Sequence, residues 1–160
     1  GDYVDNQIIN GVQSKYNGAQ ITKDMARRWK EQHSFVSTGA PEEPVLVDFS
    51  IDGKAMTLDI TDCIQRACES IVDPIVENVK VLIAESNPEY HDEFRKNMVL
   101  AGGGSSIRGL GALIERRLSD MGDVNVHVVD DPVRLGAMGG LRLAMEVPEE
   151  MWKNLTLASR

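Results

Sequence analysis

Over residues 4–16 the apolar positions Val4, Ile8, Ile9, Val12 and Tyr16 return at helical spacing, and Asn17-Gly18 supplies a stop, which predicts a first helix. Thr22 is placed to cap a second helix reaching about Gln32, with Met25, Ala26 and Trp29 turned inward and Lys23, Arg27, Arg28 and Lys30 on the other faces. Residues 37–44, carrying Gly39, Pro41 and Pro44, read as a loop. The period then changes to two. Val45, Val47, Phe49 and Ile51 alternate with Leu46, Asp48 and Ser50, and Asp52-Gly53 followed by residues 55–58 predicts a β-hairpin with a primed turn. Beyond Thr61, read as an N-cap, apolar residues from Ile64 to Ile83 mark one long helix kinked at Pro74 and ended by Asn87-Pro88.

The last third reads as two β-α units. Strand 98–101 empties into a glycine loop and a helix over 107–121, whose core face is Ile107, Leu110, Leu113, Ile114 and Leu118. Strand 124–129, the loop Asp130-Asp131-Pro132 and a helix over 133–146 follow. The two strands are expected to lie side by side and parallel, joined by a right-handed crossover. The tail, 148–160, is weakly patterned, with Met151 and Trp152 as the residues able to dock it.

Charge narrows the function. Seventeen Lys and Arg against 25 Asp and Glu leave a net charge of −8, which argues against a protein that works by neutralising nucleic-acid phosphates. No apolar run approaches the roughly 20 residues that span a bilayer. The opening Gly1-Asp2-Tyr3-Val4-Asp5 has neither the basic start nor the apolar stretch of an export signal, so a cytoplasmic protein is expected. Cys63 and Cys68 lie five apart in a helical pattern, point in different directions and read as reduced, buried fillers. His33, His91 and His127 have no partners at metal-ligand spacing, and no metal site is expected.

The segment richest in chemistry is Val99-Leu100-Ala101-Gly102-Gly103-Gly104-Ser105-Ser106-Ile107-Arg108-Gly109-Leu110, a strand, three glycines and a helix start. Glycines there let a ligand touch the backbone, and a helix N-terminus offers unpaired N–H groups. The same pattern serves equally as a tight strand-to-helix turn. It is neither a Walker A loop, since no Lys-Ser or Lys-Thr follows, nor a G-x-G-x-x-G match, although Asp130 after the next strand stands where a ribose-binding acid of a dinucleotide fold would. Arg27, Lys30 and Glu31 share one face of the second helix and can grip a ribose or adenine edge, or simply form a solvated charged face over Trp29. Gly136, Gly139 and Gly140 in the last helix cost up to about 1 kcal/mol each relative to alanine, which suggests tight helix packing or a nearby ligand.

In order as well as motif, these pieces resemble the C-terminal half of bacterial actin-like proteins of the MreB group, in the actin, Hsp70 and sugar-kinase superfamily. The resemblance rests on the glycine-acid opening Gly1-Asp2-Tyr3-Val4-Asp5-Asn6, the helix ending Lys30-Glu31-Gln32-His33-Ser34-Phe35-Val36, the loop Ala101-Gly102-Gly103-Gly104-Ser105 with Ile107-Arg108-Gly109-Leu110, and Leu141-Arg142-Leu143-Ala144. It covers the chain to about Trp152 and is strongest for the magnetosome-filament branch of the group.

What the resemblance implies is an α/β, actin-like (ribonuclease H-like, Hsp70-actin ATPase) second lobe. An α plus β-hairpin subdomain would occupy 1–58, a β-α subdomain with the adenosine loop 59–147, and a tail 148–160. By the same carry-over, adenosine would lie between the helix bearing Arg27, Lys30 and Glu31 and the loop of Gly103, Gly104, Ser106 and Ile107, with Gly1 near the sugar and phosphates. Arg27 stands where some relatives have Glu, and Ser106 and Ile107 replace larger contacts of eukaryotic actin. The cofactor would be ATP or ADP with Mg, the metal held mainly by the first lobe. That lobe would also carry the phosphate hairpins, the metal-coordinating acids and the water-positioning residue, so no ATPase activity is expected of these 160 residues alone and no catalytic residue is assigned. The partners implied are further copies in a filament or the N-terminal lobe of the same protein, together with a magnetosome-associated adaptor; the location implied is cytoplasmic and cytoskeletal. Two other readings stay open at this point: a stand-alone lobe that caps or joins actin-like filaments without nucleotide turnover, and a truncated dinucleotide-binding unit.

Overall fold

The computed structural model describes residues 1–51, 54–148 and 151–152. Helix α1 (Asp2–Lys15) buries Val4, Ile8 and Val12 along one stripe, and the chain turns away at Gly18, whose φ of 87° suits glycine. Helix α2 (Lys23–His33) starts as expected. The Thr22 hydroxyl accepts from the Met25 N–H at 3.3 Å, a cap contributing about 1 kcal/mol, and Ala26 and Trp29 are buried.

Strands β1 (Leu46–Ile51) and β2 (Lys54–Asp59) pair antiparallel with Val47 opposite Leu58 and Phe49 opposite Met56. Val45, Val47 and Leu58 reach the core, and the Phe49 ring meets Trp29 edge-on at 6.5 Å. The Asp52-Gly53 turn expected from the sequence lies outside the described residues.

The single long helix expected after Thr61 is instead two, α3 (Thr61–Glu69) and α4 (Val72–Glu85). Pro74 is the cause. Its ring collides with the carbonyl four residues back, at Ser70, so the chain breaks at Ser70-Ile71 and Pro74 sits in the first turn of α4, where its missing N–H costs nothing. Nor is Thr61 the cap. The capping position falls to Ile60, the Asp59 carboxylate accepts from the Thr61 N–H at 3.0 Å, and the Thr61 hydroxyl accepts from the Val45 N–H at 2.8 Å. After a 3₁₀ turn at Pro88–Tyr90 comes a helix the apolar pattern did not reveal, α5 (His91–Lys96).

Strands β3 (Met98–Leu100) and β4 (Val126–Val128) pair parallel, as expected, with Val99 opposite His127. Between them, helix α6 (Leu110–Arg117) starts three residues later than the pattern suggested, because Gly109 takes φ +80° and a 3₁₀ turn occupies Gly103–Ser106. The predicted core face is nonetheless buried throughout: Ile107, Leu110, Leu113, Ile114 and Leu118 are all 6% exposed or less. Helix α6 lies on β4, where a methyl group on Gly111 would come within 3.3 Å of Val128 Cγ2. Ile8, Leu58, Ile64 and Leu113 belong to one continuous apolar cluster, so the helix-and-hairpin part and the β-α part share a core.

Helix α7 (Leu135–Glu146) has no buried residue. The tight packing suggested for Gly136, Gly139 and Gly140 is not found here, since a methyl group on any of them would meet nothing within 4 Å. Trp152 Nε1 donates to the Val147 carbonyl at 3.1 Å and folds the visible part of the tail back onto the end of α7.

Candidate functional site

The acidic first turn of α1 and the basic face of α2 meet. Lys30 Nζ lies 2.7 Å from Asp5 Oδ1, with the Lys30 side chain 18% and the Asp5 side chain 4% exposed. Asp5 Oδ1 is thus paired with the Lys30 ammonium as an ion pair in a nearly buried position. A methyl group on Gly1 would stand 3.8 Å from the same ammonium, which places Gly1 directly beside Lys30. Arg27 Nη2 reaches toward Asp2 at 3.9 Å, and Glu31 is exposed. Of the residues singled out on α2 and at the N-terminus, Gly1, Arg27 and Lys30 therefore gather at one end of α1, and Glu31 shares the α2 face.

The glycine loop is held to α2 from behind. Phe35 and Arg108 form a parallel bridge, in which the Val36 N–H donates to the Arg108 carbonyl at 3.0 Å and the Arg108 N–H to the Ser34 carbonyl at 3.3 Å. The Arg108 guanidinium lies 5.9 Å from the centre of the Phe35 ring. The chain leaving α2 is thus stitched to the residue that follows the loop.

Within the loop the three glycines differ. Gly102 takes φ +82°, a conformation side chains rarely adopt, whereas Gly103 and Gly104 have ordinary φ and open space where a Cβ would sit. Ser105, which the sequence reading passed over, is buried and fixes the turn, its hydroxyl donating to the Gly102 carbonyl at 2.8 Å. Ser106 is exposed. Ile107 places its side chain in the core at 6% exposure, so only its backbone faces the loop. A cleft of about 570 Å³ on the β4 side takes in Ser106, Ile107 and Asp130, but none of Gly1, Arg27, Lys30, Glu31, Gly103 or Gly104.

Asp5 and Ser105 are the polar residues the sequence reading missed. The signal for Asp5 was present as an acid beside the buried stripe Val4–Ile8–Val12; the signal for Ser105 was not, because only the fold buries it. Among the described residues no three His, Cys, Asp or Glu side chains come together as a metal site, and no helix is long and apolar enough to cross a membrane.

Residues 1–151, which include the glycine loop and the bridge that ties it to α2, match the family described as MreB/Mbl protein. The chain belongs to that family. Among its relatives is the actin-like protein MamK of Paramagnetospirillum magneticum, 39% identical over 155 residues that make up 97% of this chain and 44% of that protein. A solved MamK double helical filament is similar in fold, with a TM-score of 0.84 at 39% identity over 91% of this chain and 44% of that one. A non-polymerising MamK mutant bound to AMPPNP gives 0.81 at 40% identity over 90% and 44%. The fold is actin-like, and the chain spans less than half the length of the curated relatives it matches.

Proposed function

We propose that the chain is the C-terminal, nucleotide-facing lobe of an actin-like filament protein and carries the adenosine half of an ATP site. The observation that carries this reading is the pair Gly103 and Gly104. Their backbone does not demand glycine and nothing in the chain fills the space beside them, which supports a ligand lying on the main chain there. Adenosine is assigned to the space between the α2 face of Arg27, Lys30 and Glu31 and the loop of Gly103, Gly104, Ser106 and the Ile107 backbone, with the sugar and phosphates toward Gly1. The AMPPNP bound to a related MamK supports the same ligand class here.

ATP or ADP is bound with Mg, and the phosphates, the metal and hydrolysis are assigned to the part of the protein that relatives carry outside the matched region. Phosphoryl transfer needs a clamp on the phosphates and a positioned water, and an adenosine slot supplies neither. The 160 residues alone therefore bind the purine weakly and turn over no ATP. Division into subdomains at 1–58 and 59–147, followed by a tail, belongs to this same reading.

Assembly is assigned by kinship with MamK, solved as a double helical filament. Head-to-tail contacts of this kind build open polymers. Residues 37–39 are tied to the core, which leaves the exposed Glu42 and Glu43 as the part of that loop free to meet the next subunit. The filament is cytoplasmic and cytoskeletal, positions an organelle of the magnetosome type and meets a magnetosome-associated adaptor.

An adenosine titration followed by NMR tests the site, with the amide signals of Gly103 and Gly104 expected to move; unmoved glycine signals under saturating adenosine would remove it. Co-sedimentation with full-length MamK, with and without ATP, tests the assembly role. Nucleotide-dependent pelleting that is weakened by charge reversal at Glu42 and Glu43 is expected, and pelleting indifferent to ATP would mark a stand-alone capping lobe instead.

A further inference from the structure

Strand β4 turns part of its main chain away from β3. The Asn125 carbonyl accepts from the Met98 N–H and the Val129 N–H donates to the Leu100 carbonyl, both at 3.2 Å, so the odd-numbered residues of β4 bond to β3. Strand alternation points the N–H and C=O of Val126 and Val128 the other way, where no further strand lies among the described residues. The segment 124–129 reads Val-Asn-Val-His-Val-Val, with no Pro, Asp, Glu, Lys or Arg in it. Six residues of high β propensity and no charge, set on an edge, are a template for pairing with another chain, and β4 itself carries none of the residues that ordinarily prevent it.

Room for an intruding strand exists. The cleft of about 570 Å³ takes in Val126, Val128 and Asp130 on one side and Gly111, Ala112 and Glu115 of α6 on the other, and Val128 is 45% exposed. What occupies the edge instead is a side chain. Glu115 Oε1, half-buried, accepts from the Val126 N–H at 2.7 Å. Gly111, one turn earlier on the same face of α6, allows the helix this close, since a methyl group there would stand 3.3 Å from Val128 Cγ2 and 3.6 Å from the Val126 carbonyl oxygen. The bond is charge-assisted and takes an outward donor that an added strand would need. A carboxylate has no proton to give, so it also repels the carbonyl oxygen that an incoming strand would present there.

We propose that Glu115 closes the β4 edge against strand addition by a second copy of the chain. Two copies of this edge are self-complementary, because the same residues can pair antiparallel about a two-fold axis. The closure is supplied from α6, eleven positions away in sequence, and not by β4. The inference does not depend on the adenosine site, and its test uses no nucleotide.

Sedimentation velocity of the 160-residue chain over a range of concentrations, read together with amide hydrogen exchange, tests it. Glu115→Ala is expected to self-associate about tenfold more tightly than the wild type, with the Val128 amide gaining protection as concentration rises. Glu115→Gln keeps a carbonyl acceptor for the Val126 N–H and is expected to stay at the wild-type level. Adding Val128→Pro to Glu115→Ala removes the other outward N–H while leaving the β3–β4 ladder, and is expected to return association to the wild-type level. If Glu115 served only to tie α6 to β4, Glu115→Ala would lower the melting temperature without any association that Val128→Pro reverses. Unchanged association of Glu115→Ala, an increase that Val128→Pro leaves in place, or equal association of the Gln and Ala variants overturns the proposal.

Discussion

Gly39 and Gly109 stand back to back: a methyl group on Gly109 would lie 2.4 Å from the Gly39 nitrogen, and one on Gly39 2.5 Å from the Arg108 carbonyl. Gly109 also takes φ +80°, and the Thr38 hydroxyl clamps its carbonyl at 2.6 Å. The segment after α2 and the start of α6 are therefore joined at a distance only two glycines allow. Alanine at either position is expected to lower unfolding stability by roughly 1–3 kcal/mol in urea melts, Gly109→Ala the more because it adds backbone strain to the collision. Wild-type melts for both variants would show the junction to be looser than described.

The Lys30–Asp5 contact gives a second prediction. Removing Lys30 leaves a carboxylate 3% exposed with no compensating charge, so Lys30→Ala is expected to cost roughly 3 kcal/mol, whereas Lys30→Met combined with Asp5→Leu recovers most of that loss. A double-mutant cycle measures it, and additive effects would contradict a coupled pair.

Four carboxylates, Asp59, Asp62, Glu69 and Asp120, are held below their usual range and contribute to the response to acid. Hydrogen bonds from Thr61 hold Asp59 below the usual carboxylate range, and the bond from Lys15 does the same for Asp62. A depressed folded pKa stabilises above the unfolded value near 4 and loses that contribution as pH falls through the folded one. The urea midpoint is expected to hold from about pH 7 to 5 and to drop below about 4. Lys15→Met, which removes the donor to Asp62, is expected to make that drop shallower; an unchanged profile would uncouple the pair from folding.

Both cysteines are free and buried. Burial pushes the Cys68 thiol up to about 11 and raises that of Cys63 as well, so neither is a thiolate at neutral pH. An aromatic disulfide reagent is expected to find no reactive thiol in the native chain at pH 8 and both after unfolding. Rapid native labelling would contradict the packing of α3.

Where local chemistry decides, the sequence could be read. Thr22 caps α2 because a hydroxyl at that position satisfies a free N–H, and the α6 stripe from Ile107 to Leu118 is buried because its spacing admits one apolar face. The break between α3 and α4 lies one turn before Pro74, at Ser70, because the proline ring collides with the carbonyl four residues back and not at its own position. Helix α5 was missed because Phe94 is its only large apolar residue; its ends do carry the acids Asp92 and Glu93 and the bases Arg95 and Lys96 that suit a helix dipole. Contacts between distant segments, Gly39 with Gly109 or Asp5 with Lys30, have no local signature. The Gly103-Gly104 pair was visible as glycine, but only the backbone angles separate it from Gly102, whose glycine the turn itself requires.

That separation supplies the most direct test of the account. A Cβ at Gly104 meets nothing within 4 Å and no unfavourable φ, so the thermal melt of Gly104→Val is expected to match the wild type, while the side chain enters the space assigned to adenosine. Calorimetric titration of both proteins with adenosine is predicted to show weak binding to the wild type that the variant loses. No binding to the wild type, or equal binding to both, would contradict an adenosine half-site on this loop.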